Sequence, residues 1–270
     1  MSLLKMPIIN NPLEQFEIIK LIAIESPIFG YIQIALTNIG LSLLLVIPFI
    51  ICLHLLSTMG SKVGRSNTYN LGMESLFGFV LNLIRDQVGP AGQSFLPVVY
   101  SLFLFILFAN LVGLVPYSFG ATTQFALTLG LSSTIVLGTT FLGLSLHGLK
   151  FFSLFVPAGT PLVLVPLLVV IETVSYTARA LSLGIRLAAN LISGHILLKI
   201  IATFSWHMAS SSLLGFLLTP FPILLLSALY VLEAGVAFLQ AYVFLLLTLS
   251  YIKDTMALHG ESTPSPSASS

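Results

Sequence analysis

Arg186 stands in the run Ala180-Leu181-Ser182-Leu183-Gly184-Ile185-Arg186-Leu187-Ala188-Ala189-Asn190-Leu191-Ile192, whose other members are apolar or small apart from Asn190. A guanidinium keeps its charge at any physiological pH. At the centre of an inserted helix it costs about 2.5–3.5 kcal/mol on the mildest scale, so it marks function rather than folding. The other strongly polar residues of the two long apolar blocks, and just beyond them, are Glu172, Arg179, Asn190, His195, Lys199, Glu233, Gln240 and Asp254. At ~100° per residue, Glu172, Arg179, Arg186 and Asn190 fall within about 40° of one another, while His195 lies ~140° round and faces something else. Glu233 and Gln240 share a face of the second block, which Tyr251 joins.

Folding the blocks back as an antiparallel hairpin pairs residues of constant index sum. Glu172 with Asp254 and Arg186 with Gln240 both give 426, and His195 with Glu233 gives 428. One register therefore lines up three polar rungs and puts the turn near Ser212–Leu214, beside Ser210, Ser211 and Gly215. At ~1.5 Å per residue the outer rungs lie about 21 Å and 13.5 Å from the arginine. Two acid/base clusters with a fixed positive charge between them are expected. Histidine titrates near neutrality and burial tunes carboxyl groups, so His195 with Glu233 suits a proton relay. Asn190 and Gln240 can hold a water or orient a side chain without net charge. Arg186 cannot relay protons, but it can attract a carboxylate and block leakage between the clusters. No acid opposes it in the hairpin register, so its counter-ion is expected from another subunit. Glu172 and Asp254 also fit helix-end charges at the membrane interface.

These residues need a membrane frame, and the composition supplies it. Of 270 residues, 57% are hydrophobic and only 7% charged, with a mean hydropathy of +1.06. Soluble domains carry roughly 25% charged residues, so an all-α integral membrane protein in contact with lipid is predicted. The net charge of +1 gives no basic patch for nucleic acid. The single cysteine, Cys52, lies in an apolar run and can form neither a disulfide framework nor a thiolate metal site.

Residues 1–37 read as an N-terminal surface segment with one short interfacial helix, 38–259 as the membrane domain, and 260–270 as a disordered Ser/Pro tail. Spans are expected at Ile39–Leu56, Leu96–Val115 and Ala121–Leu146. Between the first two, Asn70–Val88 carries Glu74, Ser75, Gly78, Asn82, Arg85 and Asp86 on one helical stripe and apolar residues on the other. That stripe fits an amphipathic helix on the membrane surface or one packed on a protein partner. Pro161–Phe204 is too long for one upright span and reads as two spans or one long tilted helix. Lys62, Arg65, Arg85 and Lys150 would share the positive, matrix-like side, with the N-terminus opposite. No inverted repeat of the kind that builds secondary transporters is present.

The run Phe152-Ser153-Leu154-Phe155-Val156-Pro157-Ala158-Gly159-Thr160-Pro161, the stretch Ser182–Leu187 with Asn190 and Gly194-His195, and Asn110–Tyr117 together resemble the a-subunit family of rotary F-type ATP synthases in its mitochondrial form. The likeness covers about Pro12 to His259, and the arginine motif is its most specific part. It implies a non-catalytic proton-channel subunit of the mitochondrial inner membrane. Its partners would be c-ring subunits, peripheral-stalk and other Fo membrane subunits, and protons. It implies that Arg186 faces the c-ring carboxylates, that His195, Glu233, Asn190 and Gln240 form the inlet half-channel, and that Glu172 and Asp254 form the outlet. It also allows residues 1–10 to be a removable leader. No phosphate loop, nucleophile elbow or HExxH run is present, and the histidines lack metal-site spacing, so no cofactor or metal is expected and ATP chemistry belongs elsewhere.

Overall fold

In a computed structural model the described residues are 13–25, 33–61, 68–115, 118–148, 151 and 164–260. The possible leader, the residues Lys62, Arg65 and Lys150, the Phe152–Pro161 run and the tail beyond Gly260 lie outside them. The chain is an all-α integral membrane protein. Its helices are α1 (Asn38–Ser61), α2 (Thr68–Gln87), α3 (Leu96–Leu114), α4 (Phe125–His147), α5 (Val165–Ser211), α6 (Leu213–Leu218) and α7 (Pro220–Gly260). Among the described residues five stretches are long and apolar enough to cross a membrane: Asn38–Thr58, Gly92–Leu114, Phe125–His147, Val165–Ser211 and Leu213–Met256. In hydrocarbon every backbone N–H and C=O must be bonded within the segment, which is why apolar sequence of this length closes into helix.

The long block is one helix, α5, of 47 residues. At 1.5 Å per residue it measures about 70 Å, more than twice a bilayer's hydrocarbon thickness. Pro166 sits in its first turn, where a missing N–H matters least. Ser212 ends the run: its Oγ accepts from Gly215 N at 3.1 Å and caps α6. Pro220 and Pro222 then open α7. The turn falls where the register placed it.

Among the described residues, strand occurs near the N-terminus. The expected interfacial helix is instead a 3-10 turn, Glu14–Phe16, followed by antiparallel strands β1 (Lys20–Glu25) and β2 (Gln33–Thr37), with Ala23 opposite Ala35 and Ile24 opposite Ile34. The run Lys20-Leu21-Ile22-Ala23-Ile24 has two β-branched residues in five, and β-branched side chains favour a pleated surface. Asn38 ties the hairpin to α1, its Nδ2 donating to Glu17 O at 2.9 Å and its N–H to Ile19 O at 3.2 Å.

The chain forms two compact units, and both long helices contribute to each. The first holds the residues up to Ile51, Phe105–Gln124 and Leu187–Gln240. Val46, Ile106, Leu107, Leu187, Leu191 and Ala237 make its core. The second holds Cys52–Leu104, Phe125–Arg186 and the chain from Ala241. Its core includes Val80, Ile84, Phe103, Leu183, Phe244 and Leu249. Here α2 buries Met73, Val80 and Ile84 and exposes Glu74, Ser75, Asn82, Arg85 and Asp86. Its apolar stripe meets the same unit: Phe77 stacks edge-on to Tyr100 at 5.4 Å, and Phe79 lies 6.0 Å from Phe103 and 5.9 Å from Tyr242. Gly89, at φ 86°, turns the chain out of α2 in a conformation that favours glycine.

Candidate functional site

In the first unit α5 and α7 approach through a missing side chain. A Cβ on Gly194 would stand 2.7 Å from Glu233 Cδ and closer still to Glu233 Oε1, so the carboxyl group occupies the space a larger residue at 194 would need. Glu233 is 6% exposed, and neither carboxyl oxygen has a protein hydrogen-bond partner among the described residues. A cavity of about 200 Å³ adjoins it, lined by Asn190, Ser193, Gly194 and Glu233 together with leucines and Val236. Asn190 and Glu233 thus line one space.

His195 shares the unit with Glu233 but makes no hydrogen bond to it: its Nε2 is buried and unpaired. That nitrogen lies 3.9 Å from the position of a Cβ on Gly120. A proton passing from His195 to Glu233 in this geometry needs an intermediary such as water. Gln240 is 6% exposed with its Nε2 unpaired. Between Glu233 and Gln240 on α7, Ala237 O accepts a long bond, 3.4 Å, from Nδ2 of Asn110, whose Oδ1 is buried and unpaired. Asn110 had no expected role in the site. The signal was there: it is the one amide in the apolar run Leu96–Leu114.

The second unit gathers charge. Arg179, Lys253 and Glu172 lie near enough to Asp254 for their charges to act on it. Arg179 Cζ lies 5.9 Å from the Tyr251 ring centroid, a cation–π distance. Tyr251 stacks edge-on to Tyr176 at 5.1 Å, and the Tyr176 hydroxyl meets Thr139 Oγ1 at 3.4 Å. Tyr176 and Thr139 were not singled out by sequence; two hydroxyl side chains in apolar helices are too common to stand out. His147 anchors the far end of α4, its Nε2 2.9 Å from Thr255 O.

Arg186 lies on the exposed face of α5, between exposed Leu181, Ser182 and Ile185. By helical periodicity Ala189, Ser193 and Leu197 continue that face. Its hydrogen bond to the Ser182 hydroxyl is long, 3.4 Å, and no carboxylate pairs with it among the described residues. The opposite face is fixed by Gly184. A Cβ there would stand 2.7 Å from Ser132 Oγ, 2.9 Å from Thr128 O and 3.1 Å from Leu129 Cα, so α5 and α4 touch at backbone distance. That contact sets the helix rotation that turns residue 186 outward.

Residues 39–253 match the family model described as ATP synthase A chain. Among curated relatives, the protein named ATP synthase subunit a of Podospora anserina is 49% identical over 251 residues, 93% of this chain and 95% of that one. Proteins of the same name from Mycosarcoma maydis and Emericella nidulans are each 47% identical over 252 residues. Those matches cover 93% of this chain and 99% and 98% of theirs.

Proposed function

Because the chain belongs to the ATP synthase A chain family, we propose that it is the stator subunit through which protons reach and leave the c-ring of a mitochondrial ATP synthase. The observation that carries this reading is Arg186: a permanent cation on an exposed apolar helix face, with no carboxylate of its own chain beside it among the described residues. An unpaired charge in hydrocarbon is too costly to leave without a counter-ion. A ring of membrane-embedded carboxylates on a neighbouring subunit supplies one.

The inlet is built from His195, Glu233, Asn190 and Gln240. A proton taken up there passes through Glu233 to a c-ring carboxylate, whose neutral acid form can then move into lipid. After nearly a full turn the acid meets the outlet, where Glu172 and Asp254 take its proton to the matrix. The resulting carboxylate is held by Arg186 until it is reprotonated from the inlet. Because the guanidinium neither gives nor takes a proton at working pH, protons cannot pass directly from inlet to outlet. The chain itself catalyses no bond change; it works in the inner membrane with the ring, the peripheral stalk and other membrane subunits, and rotation drives ATP synthesis in the catalytic head.

Disulfide mapping in the assembled complex tests this, with Cys52, an exposed free thiol, first replaced by serine. Cysteines at Ile185 or Ala189, on the exposed face, should cross-link to a cysteine placed beside the c-ring carboxylate. Cysteines at Leu183 or Leu187, each 1% exposed, should not. Cross-linking from the buried pair alone would overturn the reading.

A further inference from the structure

The N-terminal turn reaches the inlet histidine. Phe16 sets its ring edge-to-face on the His195 imidazole, centroids 6.4 Å apart at 73°. Two bonds hold it there: Gln124 Nε2 donates to Phe16 O at 3.0 Å, and Phe16 N donates to Leu13 O at 3.0 Å. On the other side, His195 Nε2 approaches Gly120, which also lies against Gly113 of α3; a Cβ on Gly113 would stand 3.2 Å from Gly120 Cα. Any side chain at 120 would fill the space before the imidazole.

Both neighbours of His195 carry an unpaired polar atom close by in sequence. Gln15 Nε2, next to Phe16, and Thr122 Oγ1, in the turn after Gly120, are buried without a protein partner among the described residues, as is His195 Nε2 itself. Thr122 is 1% exposed. Leaving such a group unsatisfied costs about 1–3 kcal/mol, and bridging water is the usual remedy in a polar recess. Three separate segments each contribute one of these groups. The charge pattern of the loop sequences predicts the N-terminus opposite the positive side, the side from which the proposed inlet opens.

Resting on the inlet role given above, we propose that Phe16 is a positioning residue for proton uptake: its ring holds His195 Nε2 toward the 120–123 turn, where Gln15 and Thr122 bind the waters that deliver protons to it. The N-terminal turn is then the outer wall of the inlet.

The test uses the complete ATP synthase in vesicles, with ATP-driven proton pumping normalised to assembled complex. Phe16→Ala should lower pumping about three- to tenfold, the range spanned by one lost edge-to-face contact. Phe16→Tyr, which keeps the ring, should restore it to within about twofold. Thr122→Val should lower it about threefold by removing one water site. Parental pumping in both Phe16→Ala and Thr122→Val overturns the proposal, as does an equal loss in Phe16→Ala and Phe16→Tyr. If Phe16→Ala fails to assemble, Thr122→Val decides, and parental pumping there overturns it. Glu233→Gln in the same preparation separates the two levels. If Glu233→Gln blocks pumping while the Phe16 and Thr122 variants do not, only the N-terminal role is lost; if Glu233→Gln pumps normally, the inlet reading itself fails.

Discussion

Seven of the eight buried side-chain atoms without a protein partner among the described residues lie in the first unit; the eighth is the Tyr251 hydroxyl in the second. The first unit's polar groups are amides, a hydroxyl, an imidazole and a carboxyl. They are enclosed and keep hydrogen-bonding capacity to spare. In the second unit the charged groups are exposed or set against a ring, and a tyrosine finds a hydroxyl: Glu172 and Arg186 face outward, Arg179 lies over Tyr251, and Tyr176 meets Thr139. Spare capacity inside a fold binds water and passes protons along it. Fixed charge at a surface acts instead on whatever lies outside. Both long helices run through each unit, with different neighbours in each.

Removing the outward charge should have the largest effect. Arg186→Ala should take ATP-driven proton pumping down by about a hundred- to a thousandfold, the scale of a lost electrostatic anchor. The complex should still assemble, since exposed substitutions shift stability by only about 0.5 kcal/mol. Normal pumping would erase the distinction between the units. The two glycines sharpen it. A methyl at Gly194 meets the far end of a flexible acid, whereas one at Gly184 meets the backbone of α4. Gly194→Ala should therefore assemble normally and pump about tenfold more slowly, because a displaced acid loses its alignment. Gly184→Ala should instead act chiefly on the amount of assembled complex, through overpacking of about 1–3 kcal/mol. Exchange of those two outcomes, read by native gel and by proton flux, would reverse the comparison. Tyr251→Phe should do least. It deletes an unpaired hydroxyl, so thermal stability should hold or rise by up to about 1 kcal/mol, with pumping within about twofold.

The helices were legible because spans announce themselves by length and apolarity. The predicted Leu96–Val115 is α3, Leu96–Leu114, and Asn70–Val88 is α2, Thr68–Gln87. Periodicity placed the polar stripe of α2 correctly but could not say what its apolar side meets; Phe77 and Phe79 answer that with Tyr100, Phe103 and Tyr242. Hydropathy could not decide between one helix and two for α5, because nothing polar enough marks an end before Ser212. The hairpin register was readable, since Gly194 against Glu233 and Tyr176 against Tyr251 both sum to 427. The orientation of His195 was not: its neighbours, Phe16 and Gly120, come from segments 179 and 75 positions away in the chain. The β-hairpin was missed because a short surface segment gives alternation too few residues to declare itself.

The unbroken course of α5 has a consequence for how this chain can change over time. Each residue advances the helix by ~100°, and no loop separates Gly184, Arg186, Asn190 and Gly194 to absorb a slip. One codon gained or lost between them would swing every later side chain by more than a quarter turn, carrying Gly194 off the acid it makes room for. Substitutions along α5 can be tried one position at a time, but a change in the spacing cannot. Length is the trait that inheritance must guard there, ahead of most of the letters that fill it.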